Sequence, residues 1–240
     1  MTSPLDLIIF DCDGVLVDSE PLSIRLLVEG LASIGYAIDE ATAYERFLGR
    51  SLSAVQAMLR EELGFELPTE RLEAMRISLF ETYRRELKAM PGIVEALDWL
   101  RVPSCVASSS LPERVRISLE VTGLLPRFAP HIFSAAMVSQ GKPAPDLFLH
   151  AAAEMGAVPS RCLVIEDSEP GISAALSAGM RVFAFLGGSH ARRPGYRERL
   201  AALGPELVFD DMRALPGLVE KAAGAPTDRR ALDGGGLGWG

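Results

Sequence analysis

Short apolar segments alternate with helical patterns from Pro91 almost to the end of the chain. Segments with strand character cover residues 104–107, 132–138, 162–165, 182–186 and 207–209, and a further one, Leu7–Phe10, lies near the start. Between them, apolar residues recur at helical spacing, and several of these patterns end at a glycine. Strands that alternate with helices of this length form right-handed βαβ units. The sequence therefore predicts an α/β fold with a parallel sheet covered by helices on both faces.

The segment between the first strand and this alternating region has helical character only. Apolar residues recur at helical spacing over residues 21–34, 51–63 and 69–88, and no strand pattern interrupts them. We therefore expect a small α-helical insertion at residues 19–89 and an α/β core built from residues 1–18 and 90–220. Residues 221–240 are rich in glycine and have little to bury, so we expect a flexible tail there.

The composition limits the classes of partner. The formal net charge of −8 argues against binding to the phosphate backbone of a nucleic acid. The start of the chain has neither a basic stretch nor a long apolar segment, which argues against a signal peptide or a membrane span. Cys12, Cys105 and Cys162 each lie in or beside an apolar strand, so we interpret them as buried thiols of a reducing compartment. These features predict a soluble cytoplasmic protein that binds neither nucleic acid nor membrane and is a monomer or weak homo-oligomer.

Two carboxylates follow the first strand. Side chains alternate along a strand, so Asp11 and Asp13 can lean to the same side at its carboxyl end. In a parallel α/β sheet, this end is where ligands bind. Two like charges at this spacing repel each other, and the pair persists only if a cation, a shared proton or a chemical task stabilises it. Taken alone, the segment also fits an Asp-rich turn after a strand.

Polar side chains also follow other strands. Glu166 and Asp167 come directly after an apolar strand, and Ser108 begins a serine run after another. Lys142 lies within residues 141–146, which we interpret as the opening of a helix. For each segment by itself, an acidic helix start, a plain serine loop and a solvated lysine are the structural alternatives.

Together, and in this order, these four segments resemble the motifs of the haloacid dehalogenase (HAD) superfamily. Residues 11–19 resemble the start of its phosphatase and phosphomutase branch, which includes β-phosphoglucomutase. The resemblance extends over residues 5–216. It implies a Rossmann-like core domain and a small helical cap domain seated over the active site.

For the acidic motifs, the resemblance implies a covalent mechanism. Asp11 would attack phosphorus and carry the phosphoryl group as an aspartyl-phosphate. Asp13 would protonate the leaving oxygen and later activate water. Asp11 and Asp167 would hold Mg²⁺, a cation that prefers oxygen ligands, with the main-chain carbonyl of Asp13 as a further ligand. Glu166 would either bind the metal directly or hydrogen-bond a water on it.

Ser108 and Lys142 are expected to bind the group that is transferred. A hydroxyl, main-chain N–H groups and an ammonium stabilise the charge that develops on phosphoryl oxygens. Lys142 would also keep Asp11 ionised. Ser109 and Ser110 are expected to contribute main-chain donors.

Substrate selection is expected to depend on the helical cap. Gly49 permits close approach of the backbone, and Arg50 would clamp an anionic part of the substrate. Glu20, next to the hinge, resembles an acidic position of the family. An arginine that faces water and an acid favoured by a helix dipole are the structural alternatives for these two charged residues.

The favoured function is a Mg²⁺-dependent phosphatase that hydrolyses a sugar phosphate or a sugar-acid phosphate. A phosphomutase similar to β-phosphoglucomutase is the alternative, but Ser23 stands where that pattern has a histidine, and Leu111 and Pro112 replace polar residues for a second phosphate. A haloacid dehalogenase is less favoured, because it needs no metal and would not require Asp13 and Asp167 together. A non-enzymatic binding protein would be expected to lack one acid of the first motif.

Overall fold

A six-stranded sheet forms the centre of the computed structural model, which describes residues 5–47, 52–64 and 68–223. Its strands are β1 (Leu7–Phe10), β2 (Ser104–Ser108), β3 (Ile132–Ser134), β4 (Cys162–Glu166), β5 (Arg181–Phe185) and β6 (Leu207–Phe209). All neighbouring strands are parallel, in the order β3-β2-β1-β4-β5-β6. This is the strand order of the Rossmann fold, so the predicted fold class is confirmed.

Strand β1 lies inside the sheet, between β2 and β4. Ile8 and Phe10 point to one face of the sheet, and Leu7 and Ile9 point to the other. All four are buried, and burial of each large apolar side chain contributes about 1.5–3 kcal/mol, which explains the uninterrupted apolar run. The strand order reverses between β1 and β4, and ligands bind at such a reversal in open α/β sheets.

Helices α1 (Glu20–Ala32), α2 (Glu40–Phe47), α3 (Leu52–Leu63) and α4 (Thr69–Glu86) follow β1. They pack around an apolar cluster of their own, which includes Ile24, Leu31, Phe47 and Leu59, whereas Phe80 and Tyr83 of α4 belong to the cluster on the Phe10 face of the sheet. From this separate cluster, we propose that residues 19–89 form a cap domain on a core domain made of the remaining described residues.

Helix α2 has no corresponding pattern among the helices predicted from the sequence. Its buried side chains are those of Ala43 and Phe47, which are too few to give a helical pattern in the sequence. The helix follows Asp39, whose Oδ1 accepts a hydrogen bond from the main-chain N–H of Thr42 (2.8 Å). An aspartate in this position satisfies one of the free N–H groups at a helix start.

Helices cover both faces of the sheet. On the face of Phe10 lie α5 (Ile93–Trp99), α6 (Pro112–Val121), α7 (Leu125–Phe128) and α11 (Leu215–Ala222). On the face of Ile9 lie α8 (Asp146–Glu154), α9 (Glu169–Ser177) and α10 (Tyr196–Ala202). Helix α11 continues two residues past residue 220, where we expected the core to end, and residues 224–240 of the expected tail lie outside the described residues.

The prediction of a strand over residues 132–138 is wrong in its second half. Strand β3 ends at Ser134, and a 3₁₀ turn follows at Ala135–Met137. The reason is the hydroxyl of Ser134, which accepts a hydrogen bond from the N–H of Ala136 (3.2 Å) and thereby caps the turn. A serine side chain that binds the backbone nearby competes with a strand in this way.

The three cysteines are free and buried, as expected. Cys12 packs in the apolar cluster on the Phe10 face, and burial raises the pKa of its thiol well above the usual value. Among the described helices, none combines the length and the apolar character needed to cross a membrane.

Candidate active site

The carboxyl ends of β1, β2 and β4 meet at one edge of the sheet, and a cavity of about 560 Å³ lies there. The residues that the sequence singled out and that line this cavity are Asp11, Asp13, Glu20, Ser108, Ser109, Ser110, Lys142, Glu166 and Asp167. Gly49 and Arg50 lie outside the described residues, so their expected role in substrate selection stays a prediction. The parallel sheet thus brings together residues from four distant parts of the sequence.

Lys142 is the cation at the centre of this edge. Its Nζ donates hydrogen bonds to Asp11 Oδ1 (2.6 Å), Glu166 Oε1 (2.6 Å) and the carbonyl oxygen of Ala107 (3.1 Å). Burial opposes the charged form, but the two carboxylates outweigh it, so the pKa of Lys142 is raised. The lysine does not open a helix as predicted, because α8 begins only at Asp146 and Lys142 lies in the preceding loop.

Glu166 is fully engaged by donors of the protein. Its Oε1 accepts from Lys142, and its Oε2 accepts from the N–H groups of Asp167 and Ser168 (both 2.8 Å) and from the hydroxyl of Ser168 (2.9 Å). A Cβ on Gly171 would lie 1.7 Å from Oε1, so only glycine leaves room for this carboxylate. The two roles left open for Glu166, direct binding of a metal and a hydrogen bond to a water on it, stay predictions. The contact that the structure shows is the one with Lys142, which Glu166 holds in place.

Asp13 is surrounded by hydrogen-bond donors. Its Oδ1 accepts from the hydroxyl of Ser19 (2.5 Å) and from Nη2 of Arg114 (3.0 Å), and its Oδ2 accepts from the hydroxyl of Ser110 (2.7 Å). Burial alone would raise the pKa of Asp13, but Arg114 and these hydrogen bonds outweigh burial, so the pKa is lowered. Ser110 therefore contributes its side chain here. Its main-chain N–H, which we expected to bind the phosphoryl group, donates instead to the hydroxyl of Ser108 (3.1 Å).

Asp167 lies against two side chains that the sequence analysis missed. Its Oδ2 is 2.9 Å from Nε2 of His190, and its carbonyl oxygen accepts a hydrogen bond from the hydroxyl of Tyr196 (2.7 Å). His190 is only 2% exposed, and burial lowers its pKa, which favours the neutral ring. The close contact with Asp167 lacks hydrogen-bond geometry, since neither ring nitrogen of His190 has a hydrogen-bond partner in the described part of the chain. Gly14 makes room for this pair, because a Cβ there would lie 1.8 Å from Asp167 Oδ2.

Comparison with known proteins identifies the family to which this chain belongs. The family model for haloacid dehalogenase-like hydrolases matches residues 5–179. The chain belongs to the haloacid dehalogenase-like hydrolases. The resemblance inferred from the four motifs and the expectation of a hydrolytic enzyme are therefore confirmed.

Relatives of this HAD-like hydrolase include an enzyme of known activity. The 6-phosphogluconate phosphatase of Escherichia coli (strain K12) is 31% identical over 189 residues, which cover 78% of this chain and 86% of that protein. A haloacid dehalogenase-like protein of unknown function from Agrobacterium tumefaciens has a TM-score of 0.79 and 39% identity, over 91% of this chain and 99% of that chain. A HAD family hydrolase of Deinococcus radiodurans, solved with bound phosphate and sodium, has a TM-score of 0.72 and 32% identity, over 92% of this chain and 97% of that chain.

The carboxylates of this HAD-like hydrolase fit a hard divalent cation. Burial raises the pKa of Asp11 and of Asp167 well above the usual value, and neighbouring carboxylates add to the effect while Lys142 opposes it. A bound cation would relieve this excess of buried negative charge. The described residues contain no cluster of three His, Cys, Asp or Glu side chains arranged to hold a metal. Magnesium is commonly held by only one or two carboxylates together with waters and substrate phosphate, so the lack of such a cluster is compatible with Asp11 and Asp167 as its expected ligands.

Glu20 lies where the catalytic cavity meets a second one. This second cavity, of about 340 Å³, is bordered mainly by apolar side chains of α1 and α4, and it shares Glu20, Ser110 and Arg114 with the first. Burial raises the pKa of Glu20 to about 7, Asp13 adds to the rise, and Arg114 opposes it. Glu20 therefore borders both cavities, and its expected contact with the substrate stays a prediction.

Proposed function

We propose that this protein is a phosphatase that hydrolyses a sugar phosphate or a sugar-acid phosphate through an aspartyl-phosphate on Asp11. The observation that carries the proposal is the position of the Asp11 carboxylate, which follows the inner strand β1, borders the cavity and is held by Lys142 at 2.6 Å. The similarity to 6-phosphogluconate phosphatase supports the substrate class, because that protein's name specifies a sugar-acid phosphate.

In the first half of the reaction, a carboxylate oxygen of Asp11 forms a bond to phosphorus while the bond between phosphorus and the sugar oxygen breaks. Arg114 lowers the pKa of Asp13 in the absence of substrate, but the negative charge of a bound phosphate favours the protonated form of this carboxyl group. The proton then moves from Asp13 to the leaving sugar oxygen, so the product leaves as a neutral hydroxyl. Lys142, the hydroxyl of Ser108 and the N–H group of Ser109 stabilise the charge on the phosphoryl oxygens.

In the second half, the Asp13 carboxylate takes a proton from a water molecule, and the water oxygen bonds to phosphorus. The bond between phosphorus and Asp11 breaks, inorganic phosphate leaves, and both aspartates return to their starting forms. Mg²⁺, held by Asp11, Asp167 and the carbonyl oxygen of Asp13, would supply electrostatic stabilisation of the phosphoryl oxygens when bound.

Two features favour a phosphatase over a phosphomutase. A mutase must hold a second phosphate, but Leu111 has no side-chain donor and is 62% exposed. The hydroxyl of Ser23 lies 3.0 Å from the hydroxyl of Tyr83 and accepts from Arg114 (3.2 Å), so it is part of a fixed network and offers no imidazole for acid–base work. Arg50 remains our proposal for the residue that binds a distant anionic group of the substrate.

The proposed function is tested with a panel of sugar phosphates and sugar-acid phosphates in the presence of Mg²⁺. We expect release of inorganic phosphate from at least one of them without any bisphosphate activator. Interconversion of glucose 1-phosphate to an isomer in the presence of a bisphosphate primer, without phosphate release, would establish the mutase instead.

Removal of divalent metal is expected to abolish phosphate release, and addition of Mg²⁺ is expected to restore it. Asp167→Ala should weaken Mg²⁺ binding in a calorimetric titration, because it removes one ionic ligand. Asp98→Ala, which changes an exposed carboxylate on α5 paired with Arg127, is the matched control and should bind Mg²⁺ as the unmodified protein does. Full phosphate release in excess chelator would contradict metal dependence.

A further inference from the structure

Arg114 connects the Asp13 carboxylate to the helices that follow β1. It lies in the first half of α6, and its Nη2 donates to Asp13 Oδ1 (3.0 Å) and to the hydroxyl of Ser23 on α1 (3.2 Å). Its guanidinium lies over the ring of Tyr83 on α4, 5.7 Å from the ring centre, and the Tyr83 hydroxyl shares a 3.0 Å hydrogen bond with Ser23. One side chain of the core thus contacts the acid–base residue and two helices of the proposed cap.

A role in stability does not explain this arrangement. The side chain of Arg114 is 18% exposed, and its Nε has no hydrogen-bond partner within the described ranges. A buried donor without a partner costs about 1–3 kcal/mol. Buried ion pairs are often no more stable than apolar residues of the same size. Because burial of this guanidinium costs free energy, we look for its role in its contact with the catalytic residue Asp13.

The three side chains that donate hydrogen bonds to Asp13 differ in their charge and in the helices that they contact. Ser19 and Ser110 lie close to Asp13 in the loops that follow β1 and β2, and each donates a neutral hydroxyl. Ser19 also contacts α1, since its carbonyl oxygen accepts hydrogen bonds from the main-chain N–H and the hydroxyl of Ser23. Arg114 alone among these three donors brings a charge, and its guanidinium also lies over the Tyr83 ring of α4. The orientation of the Asp13 carboxyl group therefore depends on how α1 and α4 pack against α6. A shift of about 1 Å in a catalytic group can cost about 10²-fold in rate.

We infer that Arg114 is a positioning residue that orients Asp13 for proton transfer to the leaving oxygen and couples this orientation to the helices α1 and α4. The inference rests on the proposed function, in which Asp13 is the general acid. It also assigns Ser23 and Tyr83 a role as supports of Arg114.

Two substrates with different leaving groups separate this role from a purely structural one. A sugar alkoxide needs a proton in order to leave, whereas p-nitrophenolate leaves without one at neutral pH. The ratio kcat/KM reports the first half of the reaction, up to release of the leaving group, and it does not depend on the later attack of water. Loss of acid assistance therefore lowers kcat/KM for a sugar phosphate far more than for p-nitrophenyl phosphate.

The variants are Arg114→Met, which keeps the length and removes the charge, and Arg114→Lys, which keeps a charge near Asp13. We expect Arg114→Met to lower kcat/KM for the sugar phosphate by about 10–100-fold, mainly through kcat, and to change that for p-nitrophenyl phosphate only slightly. Arg114→Lys should recover part of the loss, because an ammonium supplies the charge but lacks the planar fork. Arg116→Met, at an exposed position on the same helix, is the control and should match the unmodified protein.

Thermal melting shows whether each variant is folded, and the comparison is made on Arg114→Lys if Arg114→Met does not fold. An equal loss on both substrates, or no loss on either, would contradict the inference. If the unmodified protein released phosphate from neither substrate, the proposed function itself would be wrong. An active unmodified protein whose Arg114 variants show no difference between the leaving groups would contradict the inference alone.

Discussion

Asp11→Asn is expected to abolish phosphate release while the protein stays folded. The amide cannot form an aspartyl-phosphate, and removal of a catalytic nucleophile lowers kcat by about 10⁴-fold or more. The fold should tolerate the change because asparagine has the same shape, because burial already disfavours the charged form of Asp11, and because Lys142 keeps its 2.6 Å contact with Glu166. Phosphate release and the melting temperature are the two measurements.

Asp98→Asn is the matched control, since it makes the same chemical change at an exposed position on α5. It should keep the activity of the unmodified protein. Substantial turnover by a folded Asp11→Asn protein would contradict the covalent mechanism.

Lys142→Met is expected to cost both activity and stability. The side chain of Lys142 is 3% exposed and its ammonium faces Asp11 and Glu166, each at 2.6 Å. Removal of one partner from a buried ion pair typically costs about 3–5 kcal/mol, because the remaining charge is left without compensation. The free energy of unfolding should therefore fall by this order in a denaturant titration, and phosphate release should fall by about 10²-fold or more through loss of transition-state stabilisation.

Lys221→Met, on the exposed side of α11, is the control for the loss of a lysine and should leave both quantities unchanged. A Lys142→Met protein as stable and as active as the unmodified one would contradict the proposed role of Lys142, which is to compensate the charges of Asp11 and Glu166 and to stabilise the transition state.

The fold and the acidic motifs are accessible from the sequence because they depend on neighbouring residues. A buried strand of a parallel sheet is an apolar run, and the polar residue that follows it must lie at the carboxyl edge. Asp11, Ser108 and Glu166 each come at or directly after such a run, so their positions along the chain are enough to bring them to one cavity.

The residues that the sequence analysis missed depend on tertiary structure. Arg114 looks like an ordinary arginine on a helix, and His190 lies in a short 3₁₀ turn after β5 with no acidic partner nearby in sequence. Their partners, Asp13 and Asp167, lie 101 and 23 residues away along the chain. Only the packing of α6 and of the turn after β5 against the sheet edge brings these pairs together. Gly14 is the one residue of the sequence that indicates a close contact here, because it leaves room for Asp167 and His190. A glycine does not, however, identify the residues that it contacts.

The covalent step on Asp11 is tested most directly by chemical trapping. The protein is mixed with a sugar phosphate that it hydrolyses, quenched with borohydride during turnover, digested and analysed by mass spectrometry. Borohydride reduces an aspartyl-phosphate to homoserine but leaves an ordinary aspartate unchanged. We predict homoserine at position 11 only, and none in the absence of substrate. Turnover with no reduced residue at position 11, or with the reduced residue at position 13 or 167, would contradict the account.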